Sequence, residues 1–366
     1  MNSSANYSDI EFAIQNNAVR YAWATYQLFV LLSTLIGDTL VLAATFQQGA
    51  FKINKLIVTV IQHIAVSNLV NSISYVLPVA TSLLANRWVL GHAMCRSQSY
   101  LTYFINPASL CLVAVLTTFK FLILRKPLQA ASWSIKRAHQ VCAFMWAFSA
   151  LLPMLMFASD EEDVHFDYRI YNCRYDFNDE FWKIVLPLKT FVSFLAPNTV
   201  VILTTIPTLR YLMTARKSAR RFQGRVPWQG ALTVALTAFI NTISTLPAAF
   251  YHMFTKFFEV QESPISTRIC TILVMVNIMA NFYIYCLTIT SFWRFLLSKV
   301  QLLVSLSLHS TVYTAEHRTL SGATGNDLFL TWIFCRSQYL RHIRLWYLIF
   351  RYNRVQHDRY NFSEQV

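Results

Sequence analysis

Asp38, Lys120 and Lys189 stand where an ionisable group is expensive. Asp38 lies inside the otherwise uncharged run Ala22–Phe46, Lys120 sits between two phenylalanines in "LTTFKFLILRKPL" (Leu116–Leu128), and Lys189 interrupts a third apolar stretch. In hydrocarbon such a group must pair, neutralise a ligand or reach the interface along its own stem. No covalent chemistry competes for these residues: the sequence has no phosphate-cradling glycine loop, no His-Glu-x-x-His and no paired carboxylates within the apolar runs. His63 and His139 lie near helix ends and read as interface residues rather than metal ligands. No enzyme activity, metal or cofactor is expected.

The elements that hold these groups are long apolar segments. Of 366 residues 55% are hydrophobic and only 13% charged, against about one-quarter charged in an ordinary soluble domain. Seven segments, Ala22–Phe46, Leu56–Leu84, Ser97–Leu124, Ala138–Ala158, Ile184–Met213, Ala231–Phe254 and Ile269–Ile289, are each long enough to cross a hydrocarbon core of about 30 Å as helices. They lack the alternation of a barrel strand, and an open-edged backbone cannot satisfy its hydrogen bonds in lipid. The expected fold is an all-α membrane protein, a seven-transmembrane helix bundle. The net charge of +14 comes in short clusters between the spans, so nucleic acid is not an expected partner.

Loop charge sets the orientation. The loops after the first, third and fifth spans carry Lys52, Lys55, Arg125, Lys126, Lys136, Arg137, Arg216, Lys217, Arg220, Arg221 and Arg225 with no acid among them, which marks the cytoplasmic side. The loop after the fourth span is acidic, with Asp160 to Asp163, Asp167, Asp176, Asp179 and Glu180. Residues 1–21 then form an extracellular tail with glycosylation acceptors at Asn2 and Asn6. No short charged leader with a cleavage site precedes the first span, which is expected to direct insertion itself. Residues 22–289 form the bundle, 290–308 an amphipathic helix on the inner leaflet and 309–366 a cytoplasmic tail. The tail has hydroxyls open to phosphorylation, and its distal part, 328–354, suits an interfacial basic helix on anionic lipid, a non-native extension being the alternative. Of the seven cysteines, only Cys95 and Cys173 fall clear of the spans on the oxidising side, and a disulfide between them is expected.

Several motifs carry a family likeness. "WVLGHAMC" (Trp88–Cys95) matches a Trp-x-Phe/Leu-Gly-x-x-x-Cys signature, joined by Gly37, "IAVSNLV" (Ile64–Val70), Trp146, "FLAP" (Phe194–Pro197), "STLP" (Ser244–Pro247) and "NFYIYCL" (Asn281–Leu287). Over Gly37 to Phe292 the chain resembles the rhodopsin-like G-protein-coupled receptors. The resemblance implies a plasma-membrane receptor, N-terminus outside, that transduces an extracellular peptide or small molecule to heterotrimeric G proteins. Arrestin, receptor kinases and membrane lipid would be further partners. The alternative is a binding-only decoy or scavenger of the same fold, and behind it a seven-span channel or transporter, which the lack of a repeated half disfavours.

Site residues are implied by the same resemblance. Counting 25 residues from Cys95 reaches Lys120, so Phe119, Lys120 and Phe121 stand in place of the family's Asp-Arg-Tyr, with Lys126–Leu128 in the place of its His-Pro-Leu. The charge is kept and the restraining acid is lost, so Lys120 either serves coupling or merely snorkels to the interface. Pro197, Pro247, Asn281 and Tyr285 map to activation positions, while Thr245, Phe282 and Thr205 replace the family's tryptophan, proline and tyrosine. A core polar network is implied at Asp38, Asn68, Ser109, Asn277 and Asn281, with the usual Asn and Asp of the first two spans exchanged and sodium binding weak or absent. The implied ligand pocket includes Thr102, Tyr103, Asn106, Lys189, Ala248, Ala249, His252, Thr271 and Met275. Thr102 stands where amine receptors have aspartate, and Met275 where opsins have the retinal lysine, so both ligand types are excluded. Lys189 either snorkels or meets an acidic ligand, while the acidic loop favours a cationic peptide.

Overall fold

The computed structural model describes residues 17–47, 51, 53–157, 164–168, 170–175, 187–222, 228–258, 260, 263–301 and 305. The apolar runs become α1 (Asn17–Phe46), α2 (Lys55–Ala85), α3 (His92–Arg125), α4 (Ile135–Phe157), α5 (187–222, with the apolar span Pro187–Thr214), α6 (Trp228–Phe257) and α7 (Pro264–Thr288). Among the described residues six of these are long and apolar enough to cross a membrane, and α4 supplies the seventh apolar helix. The expected spans lie within these helices except at Ala158, at 184–186 and at Ile289, and most of the helices begin a few residues before the expected span.

Burial runs opposite to that of a water-soluble bundle. Leu203 is 66% and Ile36 60% exposed, whereas Asp38 is 1% exposed and Asn68 and Asn281 are buried. An outward apolar face and an inward polar seam are what lipid selects, since apolar surface gains nothing by hiding from lipid while polar groups do. α3 is the central helix, packing on α2, α4, α5 and α6, while α1 closes the ring against α2 and α7.

Prolines shape the cavity walls. A π-helical turn at Ser72–Val76 precedes Pro78 in α2, and another at Phe191–Leu195 precedes Pro197 in α5. Each widened turn accommodates a ring that cannot donate to the preceding turn. At the start of α3, Gly91 takes φ +79°, and the Trp88 indole donates to its carbonyl at 2.7 Å. The glycine and tryptophan of the outer signature thus make one turn that sets up the helix. Gly37 allows a close approach of a different kind: a Cβ there would sit 2.6 Å from Phe282 Cγ, so α1 and α7 meet at that point.

Between α4 and α5 the chain forms an antiparallel hairpin of β1 (Val164–Asp167) and β2 (Asn172–Tyr175). Cys173 of β2 is disulfide-bonded to Cys95 of α3, with the Cα atoms 5.3 Å apart, as expected from the sequence. After α7, residues 290–301 are helical, with Phe292, Phe295 and Leu296 buried and Arg294, Ser298 and Lys299 more exposed. These bear out the amphipathic pattern. The chain divides into a unit of 1–296, which holds the bundle, and a second unit from Leu297, of which only 297–301 and 305 are described. Asn2, Asn6, most of the acidic loop, most of residues 302–308 and the expected tail elements at 309–366 lie outside the described residues.

Candidate functional site

The hairpin covers a cavity of about 230 Å³ between α2, α3, α5, α6 and α7. Several attachments hold it there. The disulfide ties β2 to α3, Ser99 Oγ donates to the Cys173 carbonyl at 2.8 Å, and the Tyr171 hydroxyl donates to Asn86 Oδ1 at 2.8 Å. Tyr171, at the hairpin turn with φ +52°, is 1% exposed and meets Trp23 of α1 edge to face. Burial raises its phenol pKa above the ordinary value, against the opposing pull of Arg20 and Arg268, so it remains a neutral donor.

Thr102, Tyr103, Asn106, Lys189, Ala248, Ala249 and Thr271 line this cavity. Lys189 is 4% exposed, with Nζ 3.2 Å from the centre of the Tyr103 ring. Its head therefore lies within the bundle rather than at an interface. Met275 departs from expectation: it does not line the cavity but is buried in the cluster of Trp23, Tyr75 and Tyr171, because its position on α7 faces α1 and α2. The His252 side chain lies outside the described residues, although its backbone is helical.

The floor joins residues that the sequence kept apart. Ser109 and Asn277, expected in the core polar network, line the cavity itself. Asn71 Nδ2 donates to Asn106 Oδ1 at 2.8 Å, linking α2 to α3. Asn71 was missed from the sequence, yet it lies three residues beyond Asn68, one turn along the same helix face. Arg174 was also missed as a cavity residue, and it pairs with Asp167 across the hairpin at 3.2 Å. Its place next to Cys173 was the available signal.

From the floor a chain of contacts runs toward the other end. Thr245, in the place of the usual tryptophan, borders the cavity and accepts from Asn198 Nδ2 at 3.3 Å while donating to the Asn241 carbonyl at 2.7 Å. This joins α5 to α6 within one turn of Pro197 and Pro247. Farther along, Thr204 donates to Thr117 at 2.9 Å and so ties α5 to α3 one turn before Lys120. Thr205, the residue aligned with the family's tyrosine, makes no such bond; its hydroxyl is buried without a partner.

Asp38 faces inward as expected, beside Asn68 and close enough to the buried Tyr285 hydroxyl to interact electrostatically. Asn68 is the neighbouring polar side chain, yet both carboxylate oxygens and the Asn68 amide nitrogen are buried without a well-formed hydrogen bond. Asn281 is buried on α7.

At the far end of α3, Lys120 is 8% exposed and does not reach the surface. Phe119 is buried edge to face against Trp133 at 5.4 Å. Among the described residues no carboxylate lies within 4.0 Å of Lys120. Phe121 lies under the Arg125 guanidinium at 5.9 Å, which also faces Tyr211 at 5.7 Å. The two histidines His63 and His139, read from the sequence as interface residues, join α2 to α4 with ring nitrogens 3.0 Å apart, a contact the sequence reading did not anticipate.

Comparison with known proteins agrees with this architecture. The family described as 7 transmembrane receptor (rhodopsin family) matches residues 21–285. The chain is similar to the thyrotropin-releasing hormone receptor of Homo sapiens, 25% identical over 137 residues, 37% of this chain and 34% of that receptor. It is 30% identical over 95 residues to the Mus musculus receptor of the same name, 26% of this chain and 24% of that receptor. To proteinase-activated receptor 1 of Xenopus laevis it is 31% identical over 81 residues, 21% of this chain and 19% of that receptor. The matched stretches thus span about a third or less of the length of these curated relatives.

Proposed function

Because the chain belongs to the rhodopsin family of seven-transmembrane receptors, we propose that it is a cell-surface receptor that passes ligand occupancy of the hairpin-covered cavity to a heterotrimeric G protein. The N-terminus is extracellular in this reading, supported by the basic loops after the first, third and fifth helices. The observation that carries the proposal is the two-ended α3. One end holds Thr102, Tyr103 and Asn106 against the cavity, and the other holds the buried cation Lys120 beside the turn where the family docks its transducer. Thr245 and Thr204 supply contacts by which a ligand-driven shift of α6 or α5 reaches that end.

Phe119 sharpens the proposal. In the resembling family an acid restrains the cation; here an aromatic packs on Trp133 instead. Lys120 is thus held by burial rather than by an ion pair, and the receptor activates its G protein in part without ligand. Cells expressing the parent, Lys120→Ala and Lys120→Arg at matched surface density, each with sensors for the G-protein classes and arrestin, test this. Basal signalling in the parent and its loss in Lys120→Ala are expected. The decoy reading is favoured by the same lost acid and wins if every sensor stays silent while a bound probe is demonstrated.

A further inference from the structure

Arg20, near the start of α1, is only 8% exposed, and its Nε is buried without a hydrogen-bond partner. The described carboxylates of the elements around it are committed or distant. Asp167 of the hairpin is paired with Arg174 at 3.2 Å, Asp38 lies about 27 Å farther along α1 at 1.5 Å per residue, and the described part of α7 has no acid. Lipid headgroups do not supply the counter-charge either. Arg20 shares the buried stripe of Trp23 and Gln27, whereas Tyr21, Leu28 and Phe29 on the other side of α1 are exposed. The guanidinium is thus enclosed by neighbouring elements of the bundle.

Its neighbours are donors and cations. Trp23 Nε1, one turn along the same stripe, is also buried without a partner. The Arg268 guanidinium of α7 lies 5.3 Å over the Trp23 ring, and Arg20 and Arg268 both act electrostatically on the Tyr171 phenol, whose own proton goes to Asn86. A buried charge is costly until a counter-charge and hydrogen bonds complete its surroundings. The planar fork of a guanidinium matches the two oxygens of a carboxylate, and an indole N–H can donate to one of them. A cationic group would meet two like charges here. None of Arg20, Trp23, Tyr171 and Arg268 lines the 230 Å³ cavity. We propose that Arg20, with Trp23 and Arg268 beside it, forms a carboxylate-binding site at the hairpin end of the bundle, separate from the cavity. The carboxylate belongs to a separate acidic ligand or to Asp9 or Glu11, the acids that precede α1 in the sequence. The inference does not depend on the receptor reading.

The test uses the purified full-length chain in detergent, with thermal unfolding followed by a thiol-reactive dye, in the parent and in a second form carrying Asp9→Asn and Glu11→Gln. The probes are phenylacetate, N-acetylaspartate, phenylacetamide and phenethylamine. The acids should raise the unfolding midpoint of at least one form while the amide and amine do not. Equal action on both forms identifies a site open to a separate ligand. Action confined to the second form, or at least tenfold tighter there, identifies the chain's own Asp9 or Glu11 as the occupant. In whichever form responds, Arg20→Gln should raise the half-saturating acid concentration at least tenfold, Arg20→Lys should retain part of the effect, and Arg87→Gln, an exposed cation beyond the end of α2, should change nothing. Should Arg20→Gln fail to fold, Arg268→Gln should weaken acid binding several-fold, and an unchanged response there would overturn the proposal. So would amide or amine acting as well as the acids, acids acting equally with and without Arg20, or no acid acting on either form. The readout is binding alone, so failure of G-protein activation would leave the carboxylate site standing, and failure of acid binding would leave the receptor reading standing.

Discussion

Gly37→Ala places one methyl group where α1 and α7 touch. The new Cβ would lie 2.6 Å from Phe282 Cγ, 2.8 Å from its Cβ and 2.9 Å from its Cδ1. Ordinary carbon contacts are about 3.5–4.0 Å, so roughly 1 Å of separation must be found. The obstructing atoms include Phe282 Cβ and Cγ, which lie next to the backbone and cannot swing aside by a change of ring orientation. The helices must part, and overpacking of this kind costs about 1–3 kcal/mol. With roughly 2–4 °C per kcal/mol for domains of about 150–250 residues, and about 2 °C per kcal/mol for a chain of 366 residues, the melting midpoint should fall by about 2–6 °C. The free thiols Cys111, Cys142 and Cys270 are buried, so a thiol-reactive dye reports unfolding of the purified chain. Phe282→Ala removes the obstruction and should make the second change, Gly37→Ala, nearly neutral in that background. A Gly37→Ala protein that melts within 1 °C of the parent would refute the reasoning, as would an equal loss in the Phe282→Ala background.

The other predictions concern the hairpin and the orientation. Cys173→Ala frees β2 from α3, and with about 2–4 kcal/mol for a typical disulfide it should lower the melting midpoint more than Tyr171→Phe and reduce surface expression; equal effects would contradict the hairpin's role. Tyr171→Phe removes one hydrogen bond to Asn86, worth about 1 kcal/mol. Because burial raises the Tyr171 pKa, the unfolded chain loses this proton first as pH rises past about 10, so stability falls from there up to the higher folded value. Tyr171→Phe should make that fall shallower, and an unchanged pH profile of the midpoint would count against it. Treatment with a glycosidase should shift the parent on a gel and leave the double variant Asn2→Gln, Asn6→Gln unshifted; an unshifted parent would count against an extracellular N-terminus.

The sequence made the helices legible because lipid imposes one constraint on every residue of a span. The disulfide was legible for a related reason, since only Cys95 and Cys173 stood outside the spans on one side. The features that stayed hidden depend on helix rotation. Met275 was assigned to the cavity, but a change of facing by part of a turn puts it against Trp23 and Tyr75. Ser109 and Asn277 were assigned to the core network and border the cavity for the same reason. The π-helical turns at Ser72–Val76 and Phe191–Leu195 add a residue to a turn and rotate the facing of the residues beyond them. The choice between Lys120 or Lys189 snorkelling and lying buried also could not be read from spacing, because both outcomes use the same side chain at the same position.

Nucleotide exchange on purified heterotrimeric G proteins, catalysed by the purified chain reconstituted in lipid vesicles without ligand, tests the central claim most directly. The account predicts exchange above that of empty vesicles for at least one G-protein class, abolished by Lys120→Ala at equal receptor content. Exchange no faster than with empty vesicles for every class, or exchange unchanged by Lys120→Ala, would contradict it.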